Sequence, residues 1–124
     1  MTIPRGDRSR DLLTGIGLFN HARFFEAHEV LEEVWRSLPP HHPSRRHLQG
    51  LVQLAVAFHH ASTGNYVGAR SVLERALSNI SGADDSLRRL DFGRLRIELK
   101  EWQEYLAGRA SRPKLPQITT REPT

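Results

Sequence analysis

The chain has 124 residues and a formal net charge of +4, because 18 lysine and arginine residues outnumber 14 acidic ones. This length favours a single domain, since two domains would each have only a marginal core. The sequence contains no cysteine, which excludes a disulfide scaffold, a cysteine nucleophile and any metal or iron–sulfur centre built on thiolates.

The hydrophobic pattern predicts an all-α fold. Apolar residues recur three and four positions apart, and no stretch alternates apolar and polar residues between turn signals. Five helices are expected in chain order, over residues 8–19, 23–38, 44–63, 65–80 and 91–107. Residues 82–86 are expected to form a loop. The five predicted helices together indicate one helical domain over residues 1–110.

Residues known to end or cap helices mark the boundaries. The Pro39–Pro40 pair ends the second helix, because proline lacks a backbone N–H and restrains the residue before it. Asn20, Ser44 and Asn65 are the predicted N-caps of the second, third and fourth helices, and Gly64 is the predicted end of the third. The three prolines after residue 110 predict a tail over 111–124 that is extended or disordered.

Two segments of the chain resemble each other at a constant offset of 42 residues. Residues 24–32 align with residues 66–74, and the pairs include Phe24 with Tyr66, Ala27 with Ala69, Leu31 with Leu73 and Glu32 with Glu74. The pattern indicates two copies of a tetratricopeptide-like helical hairpin. Because two such units are too few for a free-standing solenoid, we expect the fifth helix to close the array.

The second predicted helix carries a candidate metal site. His28 and Glu32 are four residues apart and therefore lie on one helix face. This is the spacing of the zincin helix with its second histidine replaced by glutamate, in which Glu29 is the general base for a metal-bound water. The alternative is an ordinary surface pair, since His28–Glu32 and Glu32–Arg36 both have the spacing of helix-stabilising contacts.

The third predicted helix supplies further candidate residues. Gln49, Gln53 and His60 fall on one stripe beside the apolar face, whereas His59 falls on the apolar side and is assigned to the core. His60 is the candidate third ligand, and Gln53 would orient a ligand or water. Two histidines and one carboxylate suit zinc or a similar divalent ion with an open position. The alternative is a polar helix flank or a dimer seam.

Three phrases, FNHARFFEAHEVLEEVW, LQGLVQLAVAFHH and GNYVGA, resemble the family called domain of unknown function 309 over residues 12–77. Members are labelled predicted metal-dependent hydrolases, and the resemblance implies an irregular array of helices. The family's pattern falls on the following residues: Phe19, Asn20, Phe24, Glu26, His28, Glu29, Glu32, Trp35, Gln53, His60, Gly64 and Asn65. This sequence departs from the pattern at Ala22, where the family has glycine.

Two functions follow from these observations. The first is metal-dependent hydrolysis of an unidentified small molecule or peptide, with Asn20, Glu26, Trp35 and Gln49 in supporting positions around the metal site. The second is a non-enzymatic interaction module that binds a peptide, or a second copy through its fourth and fifth helices. Nucleic-acid binding ranks last, since no recognition module is present. The lack of a long apolar run predicts a cytoplasmic protein without membrane segments.

Overall fold

The computed structural model describes residues 5–87 and 89–121. Within them lie six helices: α1 (Arg5–Asn20), α2 (Phe24–Ser37), α3 (Arg45–Ser62), α4 (Tyr66–Asn79), α5 (Ala83–Ser86) and α6 (Phe92–Leu106). No strand occurs in that part of the chain, where a single isolated bridge joins Leu90 to Thr120. The all-α single-domain prediction is confirmed. The loop predicted over residues 82–86 is wrong, because the one-turn helix α5 is too short to show a hydrophobic period.

The helices pack in chain order. α1 packs against α2, α2 against α3 and α3 against α4, whereas α6 packs against α4 and the short α5. Four aromatic side chains, which we call the aromatic core, lie at the centre of this array: Phe19, Phe24, Phe58 and Trp102. The Phe58 ring lies 5.9 Å from Phe19 and 5.0 Å from Trp102, in both cases edge to face. The aromatic core therefore joins α1, α2, α3 and α6.

The structure contains two hairpins with equivalent bounds. α2 and α4 each have 14 residues and begin 42 positions apart. The residues with positive φ in the two turns, Ala22 at 62° and Gly64 at 84°, are also 42 positions apart. The internal resemblance in the sequence thus corresponds to a structural repetition.

Both turns are closed by the same pair of backbone hydrogen bonds. Ala22 N donates to Phe19 O (2.9 Å), and Arg23 N donates to Leu18 O (2.9 Å). In the second turn the equivalent bonds are Gly64 N to Ala61 O (3.2 Å) and Asn65 N to His60 O (2.8 Å). This is the Schellman arrangement, in which a left-handed residue just past the helix lets the chain satisfy its last carbonyls.

The capping predictions have mixed outcomes. Asn65 does cap α4, because its Oδ1 accepts from Gly68 N at 2.9 Å, and Gly64 does end α3. Ser44 precedes α3 but its side chain makes no capping hydrogen bond to it. Asn20 is the last residue of α1 rather than the cap of α2, where Arg23 occupies the capping position. The Asn20 carboxamide is instead engaged by the distant C-terminal tail.

The turn between α1 and α2 yields a stability prediction. A left-handed φ costs a residue with a Cβ about 1–2 kcal/mol relative to glycine, so Ala22→Gly should raise the free energy of unfolding by about 1 kcal/mol after the entropy of the added glycine is counted. Thermal or urea unfolding measures the change.

The matched control lies at the equivalent position of the second turn. Gly64→Ala should lower the free energy of unfolding by about the same amount, since nothing lies within 4 Å of the added methyl group and only the backbone is strained. Two changes of the same sign would show that the two turns are not equivalent.

Candidate functional site

The predicted metal ligands on α2 are already bonded to each other. His28 Nε2 lies 2.8 Å from Glu32 Oε2, and both side chains are about one-quarter exposed, at 28% and 24%. The other carboxylate oxygen of Glu32 accepts a hydrogen bond from Arg36. The guanidinium neutralises the carboxylate from the same helix face. Glu32 therefore has both of its oxygens occupied.

The same type of pair recurs in the second hairpin. Arg70 and Glu74 stand 42 positions after His28 and Glu32, and Arg70 Nε lies 4.0 Å from Glu74 Oε1. Both pairs have the i,i+4 spacing of contacts that stabilise a helix surface by a few tenths of a kcal/mol. The repetition favours a structural role for the pair in α2.

Two of the three predicted residues of α3 contact α4 or the turn before it. Gln53 Oε1 accepts from Asn79 Nδ2 at 2.7 Å, and His60 Nδ1 lies 3.4 Å from Asn65 Nδ2. The sequence pattern predicts that His60 meets His28 and that His59 is a core residue. His60 lies beside Asn65, and His59 is half-buried beside α2, because successive residues point about 100° apart around a helix. The role of His60 as a ligand stays a prediction.

His59 is the α3 histidine that lies beside α2. It is half-buried, and its ring centroid is 5.6 Å from that of Phe25, which in turn is 6.1 Å from that of His28. Phe25 is 55% exposed and contacts both imidazoles. The result is a mixed aromatic surface on α2 and α3 rather than a converging ligand set.

No metal centre is assembled within residues 5–87 and 89–121. Those residues contain no group of three or more His, Asp or Glu side chains that could hold a metal ion. Glu29, the predicted base, is exposed on α2, and Gln49 is exposed on α3. A divalent metal cofactor stays a prediction.

The remaining predicted residues of α2 have structural partners. Glu26 forms an exposed ion pair with Arg23 at 2.7 Å. The guanidinium of Arg45 lies 4.4 Å from the centroid of the Trp35 ring, and its Nη1 donates to Leu38 O at 2.8 Å. Trp35 therefore helps to fix the connection between α2 and α3.

Asn20 holds the extended tail through its carboxamide. Asn20 Nδ2 donates to Ile118 O (2.9 Å), and Ile118 N donates to Asn20 Oδ1 (2.8 Å). The Gln117 side chain adds a bond from Nε2 to Asn20 O at 3.2 Å. Ile118 itself is 2% exposed. One side chain thus satisfies both backbone groups of a residue 98 positions away, as a neighbouring strand would.

Further hydrogen bonds hold the tail along its length, and each involves a backbone N–H or C=O group of the tail. Trp102 Nε1 donates to Lys114 O at 2.9 Å. Asp91 N donates to Thr119 O (2.8 Å), and Arg121 N donates to Arg89 O (2.7 Å). We call the surface formed by Asn20, Arg89, Asp91 and Trp102 the tail groove. The sequence analysis missed it, although Ile118, a β-branched residue in a mostly polar tail, is a signal that the tail has a buried contact.

The fold and this geometry define a small all-α domain of two consecutive helical hairpins, closed by α6 and bound by its own extended tail. Residues 12–72, from α1 into α4, match the family described as Domain of unknown function (DUF309). The chain belongs to that family, and the resemblance seen in the sequence is confirmed. None of the described helices is long and apolar enough to cross a membrane.

Two curated relatives are similar over most of this chain. An uncharacterised protein of Aquifex aeolicus is 32% identical over 83 residues, which are 67% of this chain and 25% of the relative. The uncharacterised protein YpuF of Bacillus subtilis is 35% identical over 80 residues, 63% of this chain and 45% of the relative. The chain thus spans less than half the length of either relative.

The geometry of α2 yields a prediction about metal ions. Added zinc or manganese should leave the thermal midpoint unchanged, because a ligand that binds only the folded state would have to raise it and Glu32 is already occupied by Arg36 and His28. His28→Ala should cost no more than about 0.5 kcal/mol, the value of an i,i+4 pair. Differential scanning fluorimetry and urea unfolding measure both quantities.

Glu33→Ala is the control, since it removes a neighbouring exposed carboxylate of α2 and should have a similarly small effect. A metal-dependent rise in the midpoint that disappears in His28→Ala but persists in Glu33→Ala would contradict the structural interpretation and support the metal centre.

Proposed function

We propose that this domain is a helical interaction module whose tail groove binds an extended peptide segment. The observation that supports this most strongly is the two-way bond between the Asn20 carboxamide and the backbone of Ile118. Such bonds recognise the extended conformation rather than a particular side chain. The chain's own tail is the resident ligand of the groove.

Burial within the tail indicates which peptides the groove accepts. Pro116 and Ile118 are the buried residues of this segment, whereas Leu115 is 37% exposed. The preferred ligand is therefore an extended segment with an aliphatic residue two positions after a proline. Backbone bonds supply affinity, and the pocket around Ile118 supplies selectivity, as in other modes of strand-like peptide recognition.

The resident tail limits access to the groove. A short exposed connection, which begins at Gly108 with a φ of 79°, joins α6 to the tail. A tether of this kind gives an effective concentration on the order of millimolar, so a peptide in solution must displace the tail before it binds. The two hairpins, with their tetratricopeptide-like repetition, form the scaffold that carries Asn20 and Trp102.

Hydrolysis of an unidentified substrate, with a divalent metal held by α2, is the other function predicted from the sequence. It stays a prediction, and no contact among the described residues favours it. The bonded pair of His28 and Glu32 and the exposed position of Glu29 support a structural role for these residues instead.

Displacement of the tail tests the proposal. In the full-length chain, Ile118→Asp places a charge in a buried apolar position and should release the tail from the groove. A labelled peptide of residues 111–121 should then bind this variant at least about tenfold more tightly than it binds the wild type, whose tail competes at high effective concentration. Fluorescence anisotropy measures the affinity, and circular dichroism verifies that the helices remain folded.

A second substitution identifies the contact. Asn20→Ala in the Ile118→Asp background should weaken the peptide by about tenfold or more, since two hydrogen bonds of about 1 kcal/mol each are lost. Ser62→Ala, at the equivalent position at the end of α3, should leave the affinity unchanged. A folded Ile118→Asp variant that binds no peptide would overturn the proposal, and Ile118→Ala provides the same test if the charged variant unfolds.

A further inference from the structure

The outer side of α4 has a cavity and exposed apolar side chains. The cavity has a volume of about 360 Å³ and is lined by Tyr66, Val67, Arg70, Ser71, Glu74 and Leu106. Val67 is 84% exposed and Tyr66 is 44% exposed. We call the five α4 residues of this set the α4 outer face. Exposed apolar residues beside a cavity are typical of an interaction surface.

The internal repetition allows the α4 outer face to be compared with the equivalent face of α2. Val67 stands 42 positions after Phe25, whose ring lies 5.6 Å from His59 of the next helix, α3. On α4, α6 covers part of the face: Tyr105 and Leu106 lie beside Tyr66. Gln103 and Glu104 of α6 line a smaller cavity together with Arg70 and Glu74. In stacked helical repeats each unit packs its outer helix against a neighbour. Because α6 covers the α4 outer face only in part, Val67, Arg70 and Glu74 stay exposed.

The charges on this face are self-complementary. Arg70 and Glu74 lie one turn apart, with side chains 54% and 61% exposed, and their own contact is long at 4.0 Å. A nearby pair joins Glu104 of α6 to Arg109, which follows that helix. Arg109 donates to both oxygens of Glu104 at 2.7 and 3.0 Å and holds the pKa of that carboxyl below its ordinary value. The charged groups of Arg70 and Glu74 are thus accessible for ion pairs with a partner protein.

We infer that the α4 outer face is a homodimer interface. When the α4 helices of two copies run antiparallel about a two-fold axis near the midpoint of residues 70 and 74, Arg70 of each copy faces Glu74 of the other. A two-fold interface requires one self-complementary patch, and this face carries both signs of charge on one helix. The second copy also covers Val67 and Tyr66, the most exposed apolar residues of α4.

Charge reversal in trans tests this inference. Sedimentation velocity over a range of concentrations should show a dimer for the wild type. Arg70→Glu and Glu74→Arg should each weaken dimerisation at least about tenfold, because each places like charges opposite each other. An equimolar mixture of these two variants should form a heterodimer, since opposite charges then face each other in both contacts. A contact within one α4 helix could not give that rescue.

Two controls separate the α4 outer face from other interfaces. Glu29→Lys changes an exposed charge at the position of the first hairpin equivalent to Ser71 and should leave the dimer intact. Ile118→Asp should also leave it intact, which excludes a dimer formed by exchange of tails. A wild type that stays monomeric at every concentration, a dimer that survives both single reversals, or a mixture that shows no rescue would each overturn the inference.

Discussion

The edge-to-face packing of Phe58 is the interaction on which the rest of the structure depends. This ring stands in the last turns of α3 and contacts both Phe19 of α1 and Trp102 of α6. Because all three are buried, the first hairpin, the second hairpin and the closing helix share one core. The same contacts place Asn20, next to Phe19, and the indole N–H of Trp102 where each meets the tail. Packing thus positions the polar groups that define the groove.

The repetition of the hairpin changes how the polar residues of α2 are understood. In isolation, His28 and Glu32 have the spacing of metal ligands. Beside Arg70 and Glu74 they are one of two matching surface pairs on the outer helices of two matching units. A duplicated unit tends to keep the features that its packing requires, such as the left-handed turn residue at Ala22 and Gly64. The polar pair recurs in the same way.

The parts of the fold that depend on short-range pattern could be predicted from the sequence. Periodicity located the five main helices, and glycine at a left-handed position located the end of α3, because these signals lie within a few residues of their effect. The neighbours that the His59 and His60 side chains face could not be predicted. The two residues are adjacent at the edge of an apolar stripe, so a small rotation of the helix decides which of them lies beside α2. The role of Asn20 was inaccessible for another reason: its partner is 98 residues away, and no local rule relates the two.

That separation has a consequence for the order in which the molecule forms during synthesis. The first hairpin is complete in the nascent chain long before its last polar group finds a partner. At a translation rate of roughly 5–20 residues per second, Ile118 follows Asn20, 98 residues earlier, by about 5–20 seconds. During that interval the Asn20 carboxamide forms its hydrogen bonds with water and not with Ile118. Closure by the tail is therefore a late step of folding.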